Sequence, residues 1–548
     1  MANSANFPTS VTGNIYPDNP NPQFPEQLFP AFNPANAIVG VAFSGGGARA
    51  MSAAMGQMRG LRNSLGYTDI GAISCVSGGS WFGTPFTYAS SKYDDDTLLG
   101  LQTPPSQLTV EGLQNLNTNN ICSALPQMTN GWVSAELGLL YLIGVPYNRL
   151  WSRMLNFFIL LPLGIGDTNT FFTLNPTTLA QLLSLNPSLT PSNFYLQRDN
   201  RPFYIGGSTQ AYPMGDGMVM RHFENTAMYT GTPQMWGTIG VDGQHFGYGY
   251  VDNLLFDTVG QGATGFDEVT ANLNTNPENG QLLLFTLSDQ MGSSSSAPGA
   301  DLDYFDDNPD YFPQFNYWCP TYVDDPATVY SYVDGGDLEN TGIIPLLRRQ
   351  YPIVLAFVNT SLPLGGTDPY YYVDGVDAQI SSLFGHYPEQ NPVMPPIVQT
   401  QVLNDDGKFA QLAAALASKK ANGEPLVYAD LYTVYEGNYF GVPAYPGAGS
   451  FFIVWYYNDM NRQWYNELPT AIQELLTSTD PTNYMANFPN YATVGQNSYD
   501  DIPEVLMLTP QQINLLANMQ CFTVSTPGNL ALIKELMEKV ASREAVKP

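Results

Sequence analysis

The chain has 548 residues and a formal charge of −29, from 48 Asp and Glu against 19 Lys and Arg. So acidic a surface repels nucleic-acid phosphates, whose binding needs a basic footprint, and it presents no general basic face to anionic membranes. With 44% hydrophobic and only 12% charged residues, the chain has ample apolar content for a large buried core.

Residues 1–36 are rich in Pro and Asn, lack periodicity and read as an extended arm. The opening MANSANFPTS has neither the basic n-region nor the apolar h-region of a secretory signal. The expected location is cytoplasmic by default, peripheral at membranes, with signal-peptide-independent export also compatible. The run AIVGVAF over 37–43 predicts a buried strand, residues 48–64 a helix of small residues, IGAISCV over 70–76 a second buried strand, and Gly78 the start of another helix.

Segments 125–200 and 290–330 are expected to be insertions that cover a site. The most apolar stretch, 137–172, is broken by Pro146 and Pro162 and interrupted by Arg149 and Arg153. It therefore falls short of the roughly 18–20 apolar residues that span a bilayer. It suits a lid, an acyl-chain tunnel or ordinary core helices. Ser293–Ser296, inside MGSSSSAPGA, read as a flexible surface loop. Further strands are expected at 203–205, 282–287, 353–358 and 451–456. Helices are expected at 470–476, at 510–519 with Thr509 as cap and Pro510 at the first turn, and at 530–545. The resulting expectation is an α/β fold with a central, mostly parallel sheet, helices on both faces and large insertions, forming one domain over 37–548.

The four cysteines Cys75, Cys122, Cys319 and Cys521 have no metal-ligand spacing, and no metal or cofactor is expected. The acidic run Asp301-Leu302-Asp303-Tyr304-Phe305-Asp306-Asp307 lacks the glycine and glutamate of an EF-hand loop and reads as a solvated face.

Three motifs carry chemistry. Gly45-Gly46-Gly47-Ala48-Arg49 stands between the first strand and the first helix. Its glycines leave backbone N–H groups unobstructed at a helix N-terminus, so it can cradle an anion, an oxyanion included, or serve only as a tight turn. Gly45-x-Gly47-x-x-Ala50 also fits a dinucleotide fingerprint, but the acidic residue that should end the next strand is absent: Asp69 precedes that strand and Ser77 follows it. Cys75-Val76-Ser77-Gly78-Gly79-Ser80-Trp81, again at a strand-to-helix junction, resembles a nucleophile elbow with Cys in place of the upstream Gly. Tyr332-Val333-Asp334-Gly335-Gly336 places an aspartate at a strand end. Val241-Asp242-Gly243 and Val373-Asp374-Gly375 are similar, but only Asp334 is followed by a second glycine and then by LENTGIIPL.

SGGGARA, then VSGGSW, then a distant VDGG followed by N…IPLL resembles the catalytic domain of cytosolic phospholipase A and fungal lysophospholipase (phospholipase B), with patatin-like lipases more distant. The resemblance covers three short blocks. It implies a patatin/phospholipase-like fold and a Ser–Asp dyad without histidine, with Ser77 as nucleophile, Asp334 as base, Gly46 and Gly47 in the oxyanion hole and Arg49 on the lipid phosphate. The implied activity is hydrolysis of glycerophospholipids or lysophospholipids through an acyl-enzyme, at a transient membrane or micelle surface. The glycine loop begins at residue 45, ahead of which a calcium-dependent lipid-binding sandwich would not fit, so calcium-independent chemistry is expected. Alternatives are a lipid acyltransferase using the same acyl-enzyme and a non-catalytic lipid-binding protein. Of His222, His245 and His386, only His386 falls in an order, Ser77, Asp334, His386, that would suit a conventional triad.

Overall fold

The two apolar runs that flank the glycine loop form neighbouring parallel strands. Val39–Phe43 and Ile70–Val76 are buried along their whole lengths, as continuous apolar runs joined through a helix require. The computed structural model describes residues 7–16, 24–28, 38–214, 217–233, 248–260, 268–277, 279–297, 313–318, 320, 328–390, 400–446, 449–478, 485–492 and 506–544. These fall into two compact units. One comprises Met1–Asn33, Gly83–Lys92 and Asn130–Leu338; the other comprises Pro34–Phe82, Tyr93–Thr129 and Glu339–Pro548.

The second unit carries the glycine loop. Its strands run in the order Ile70–Val76, Val39–Phe43, Ile353–Val358, Ser450–Tyr457, Val427–Thr433; the first four are parallel and the last is antiparallel. Helix Gly47–Ser64 links the first two strands in sequence. Its small residues let helix Pro510–Ser525 come close: a Cβ at Gly56 would stand 2.6 Å from the Ala517 Cα, nearer than packed atoms allow. Thr509 caps Pro510–Ser525 as expected, its hydroxyl accepting from the Gln512 N–H while the Gln512 side chain accepts from the Thr509 N–H.

The other unit departs from the expectation of a mostly parallel sheet. Phe203–Met214, Gly217–Thr226, Tyr229–Thr232 and Gly249–Asp252 pair antiparallel in turn, and Thr328–Val333 pairs antiparallel with Phe203–Met214. The first three follow one another through two-residue connections, which can join only antiparallel strands. Ser10–Tyr16, from the N-terminal arm, is itself a strand, paired with Gly249–Asp252 and Glu268–Asn272. An aromatic cluster of Phe223, Phe256, Phe285, Phe315 and Tyr332 fills this unit, with ring centroids 4.6 Å apart for Phe256–Phe285 and 4.8 Å for Phe223–Tyr332.

Two local expectations are corrected. The apolar run 282–287 is a strand only over Leu282–Leu283, in a separate ribbon with Asn274–Thr275. From Thr286 a capping box takes over: Asp289 Oδ2 accepts from the Thr286 N–H (3.0 Å) and hydroxyl (2.7 Å), starting helix Leu287–Ser294. Ser293–Ser296 is not a surface loop. All four serines are buried, and the Ser294 and Ser296 hydroxyls donate to the carbonyls of Gly207 (2.6 Å) and Tyr332 (3.0 Å). Small hydroxyl side chains that satisfy themselves on neighbouring backbone can pack where longer polar ones cannot, which composition does not reveal. Among the described residues no helix is long and apolar enough to cross a membrane, and no cluster of His, Cys, Asp and Glu could hold a metal. The acidic run 301–307, Cys319, Asp242 and His245 lie outside the described residues.

Candidate active site

The backbone takes positive φ at the two junctions that the sequence singles out. Between Val39–Phe43 and helix Gly47–Ser64, Gly46 and Gly47 adopt φ of +130° and +50°. Between Ile70–Val76 and helix Gly78–Tyr88, Ser77 has φ of +51°. A serine in the left-handed region costs on the order of 1 kcal/mol and persists where the surroundings impose it, as at a nucleophile elbow. From Ile70 to Ala89 every residue is buried except Ser77, which is half-exposed. The one strained residue is therefore the one that solvent or substrate can reach.

The two junctions pack directly on each other. A Cβ on Gly45 would lie 2.9 Å from the Ser77 Cβ and would overlap the Asn340 side-chain oxygen, while one on Gly78 would run into the Gly47 backbone. Only glycines let the loops approach this closely, which brings two helix N-termini to Ser77. Gly45 donates its N–H to the Asn340 carbonyl at 3.1 Å, and Ser44 donates to the Phe357 carbonyl at 3.1 Å. The Ser44 hydroxyl accepts from the Asn359 N–H at 2.7 Å. Among the described residues the N–H groups of Gly46 and Gly47 make no hydrogen bond, so they remain able to receive an anion. Cys75, the elbow's unusual upstream residue, is fully buried, and burial pushes its thiol pKa far up; it is no rival nucleophile.

Arg49 is buried in the first turn of its helix. Its Nε donates to the Asn359 carbonyl at 2.7 Å and Nη1 to the Tyr491 carbonyl. Nη2 lies against Gly46 and has no partner among the described residues. Burial lowers the Arg49 pKa to about 9, opposed by the Asp377 carboxylate, so the guanidinium stays charged at neutral pH.

Sequence reasoning missed the residues that hold this loop. Glu339 is buried and accepts from the N–H groups of Thr341 (2.6 Å) and Gly342 (3.0 Å) and from the Thr341 hydroxyl, fixing the turn that presents Asn340. Asn340 Nδ2 donates to Gln379 Oε1 at 3.0 Å, Gln379 Nε2 donates to Asp377 at 2.5 Å, and Asp377 also takes the Thr360 hydroxyl. Asp377 ends the small hairpin whose turn is Asp374-Gly375. The turn set aside as a mere look-alike thus places a carboxylate near Arg49.

Asp334 lies in the other unit. It ends strand Thr328–Val333, is buried, and accepts from the Gly336 N–H at 2.7 Å as cap of a short helical turn. Asp374, by contrast, is exposed at φ +49° in its hairpin turn. The two described Val-Asp-Gly triplets thus make different turns. His386 Nε2 stands 3.0 Å from Asp405 Oδ2, and its ring stacks on Phe409 with centroids 5.0 Å apart. The carboxylate that His386 meets is Asp405. His222 is buried within strand Gly217–Thr226.

No family model matches the chain, and no curated protein matches it. Among solved structures the chain is similar to human GIVD cytosolic phospholipase A2, with a TM-score of 0.45 and 11% identity over 92% of this chain and 62% of that one. The same human enzyme in complex with methyl gamma-linolenyl fluorophosphonate and terbium chloride gives a TM-score of 0.39 at 12% identity over 93% and 60% of the two chains. Its complex with the fluorophosphonate alone gives 0.38 at 12% identity over 92% and 59%. The chain spans about three-fifths of the length of these structures.

Proposed function

We propose that the protein is a serine acyl hydrolase of glycerophospholipids or lysophospholipids that works through an acyl-enzyme on Ser77. The observation that carries this reading is the strained, accessible Ser77 packed against a glycine loop with two spare backbone donors. In the proposed cycle Asp334 takes the Ser77 hydroxyl proton as Oγ attacks the ester carbonyl. The tetrahedral oxyanion rests on the N–H groups of Gly46 and Gly47, a contribution whose single-donor loss typically costs 100–1,000-fold. Collapse breaks the bond to the lipid alcohol, which leaves with the proton from Asp334. Water then gives a proton to Asp334 as it attacks the acyl-enzyme, and collapse releases the fatty acid as Asp334 returns that proton to Ser77 Oγ. Asp334, a buried carboxylate at a strand end, is the proton acceptor assigned in this cycle. Arg49 is the proposed phosphate partner: a charged guanidinium with one donor left over beside Gly46 suits a single phosphate oxygen.

The test is fatty-acid release from a panel of phospholipids and lysophospholipids, read by mass spectrometry. Wild type should release acid, and Ser77→Ala should lose on the order of 10⁴-fold or more in kcat. Undiminished release by Ser77→Ala, or by Asp334→Asn, would overturn the corresponding assignment. Acyl transfer to an added alcohol in place of acid release would assign the same acyl-enzyme to a transferase.

A further inference from the structure

We propose that the helical hairpin around Asn130–Leu142 is a docking surface for an electrically neutral lipid surface. Its large apolar side chains face solvent: Leu142 is 81% exposed and Trp132 67%, with Leu139, Tyr141, Ile143, Tyr147, Phe157 and Leu161 also exposed. An exposed helix normally turns a polar face outward. This one has a single charged side chain, Glu136, which is half-buried. At about 100° per residue, the exposed positions Tyr141, Ser134, Gly138, Leu142, Ala135, Leu139 and Trp132 spread over roughly 180° of its circumference. A contiguous apolar patch of this kind marks an interaction surface.

Charge decides the partner. Between Leu137 and Gly166 there is no Asp or Glu, and the two arginines of that stretch are committed inward, Arg149 to Asp257 and Asp289 and Arg153 to Asp289. Apart from Glu136 at its edge, the exposed face is therefore uncharged, on a chain of net charge −29. A second copy of the chain, equally anionic, is repelled, and so is an anionic bilayer; a zwitterionic one is not. Trp132, Tyr141 and Tyr147 supply the amphipathic rings that settle at the headgroup boundary. The buried ion pairs at Arg149 hold the first turn of helix Tyr147–Leu155 to the body of its unit. The inference deepens the phospholipid reading by naming the physical form in which the substrate is met.

The experiment uses the full chain carrying Ser77→Ala, so that lipid is not consumed, with phosphatidylcholine vesicles. Sedimentation and the tryptophan emission wavelength are the readouts. The protein should pellet with the vesicles and its emission should shift to the blue. Leu139→Gln, Leu142→Gln and Ile143→Gln together should weaken partitioning at least 10-fold. In the Ser77 background the same three changes should leave turnover of a monomeric short-chain ester at the wild-type rate. Replacing a third of the lipid by phosphatidylglycerol should weaken binding. Should the triple variant fold poorly, Leu142→Gln alone should weaken binding about 3-fold. No pelleting, unchanged partitioning of the variants, tighter binding to anionic vesicles, or a dimer that the substitutions dissociate would each overturn the docking proposal. Binding without any esterase activity would overturn the hydrolase reading and leave the docking surface standing. Esterase activity without binding would do the reverse.

Discussion

The glycine-loop corner of one unit and the Arg149 and Asp252 clusters of the other treat polar groups in opposite ways. In the parallel-stranded unit, the glycine loop and Ser77 keep a strained serine, spare N–H groups and an arginine with an uncommitted nitrogen close together. Around Arg149 and Asp252, in the antiparallel unit, buried ionisable groups are given partners. Arg149 meets both Asp257 and Asp289 and lies over the Phe315 ring at 4.4 Å. Asp252 accepts from the Asn14 N–H (2.7 Å), Asn14 Nδ2 (2.9 Å) and the Tyr16 hydroxyl (2.9 Å). Burial with satisfaction holds a fold together; strain with unsatisfied donors marks chemistry. Asp334 is the test of that contrast, a buried carboxylate of the antiparallel unit to which a catalytic duty is assigned.

The contrast can be broken by substitution. Removing one member of the buried ion pairs, as in Arg149→Met, should cost about 3–5 kcal/mol of stability. It should leave kcat per folded molecule unchanged. Chemical denaturation paired with active-site titration checks this, and a selective loss of kcat would place Arg149 in the site. Gly45→Ala should strike kcat instead. Its methyl must displace Asn340 or Ser77, so kcat per folded molecule should fall about 100–1,000-fold, beyond the roughly 1–3 kcal/mol of stability that overpacking costs.

Asp252 sharpens the contrast through pH. Burial raises its pKa from 3.8 to about 6. The protonated form is thus favoured by folding, so its stabilisation is complete below pH 3.8 and is lost as pH rises through 6. A shift of about two units is on the order of 3 kcal/mol. Stability measured from pH 4 to 7 should fall along this segment in wild type and run flatter in Asp252→Asn; parallel slopes would remove Asp252 as the cause. The smallest expected effect is at His386. With its ring paired to Asp405 and stacked on Phe409, His386→Ala should change turnover less than about 2-fold, because a dyad needs no imidazole. A loss of 1,000-fold or more would restore the triad.

What could be read from the sequence was local. The strands 70–76 and 353–358 match Ile70–Val76 and Ile353–Val358 residue for residue, since no helix cap interrupts those apolar runs as Thr286 and Asp289 interrupt 282–287. Gly45–Gly47 and Ser77–Gly79 were legible because strand-to-helix turns constrain their own residues. The support for those turns was not. Arg49 and Asn359 are 310 residues apart and Arg49 and Tyr491 are 442 apart, and no local rule pairs them. The serines at 293–296 failed for the same reason: their burial depends on the carbonyls of Gly207 and Tyr332, supplied by distant strands. Strand Phe203–Met214 is 12 residues long where only three read as strand, because Gly206, Gly207 and Gln210 dilute the apolar pattern.

The central claim is that Ser77 is the nucleophile, and covalent capture tests it most directly. The native chain would be treated with a fluorophosphonate ester probe, digested and mapped by mass spectrometry. A single adduct on the peptide containing Ser77, abolished by Ser77→Ala and slowed by Asp334→Asn, is the predicted result. An adduct on any other serine, with Ser77 unmodified, would contradict the account.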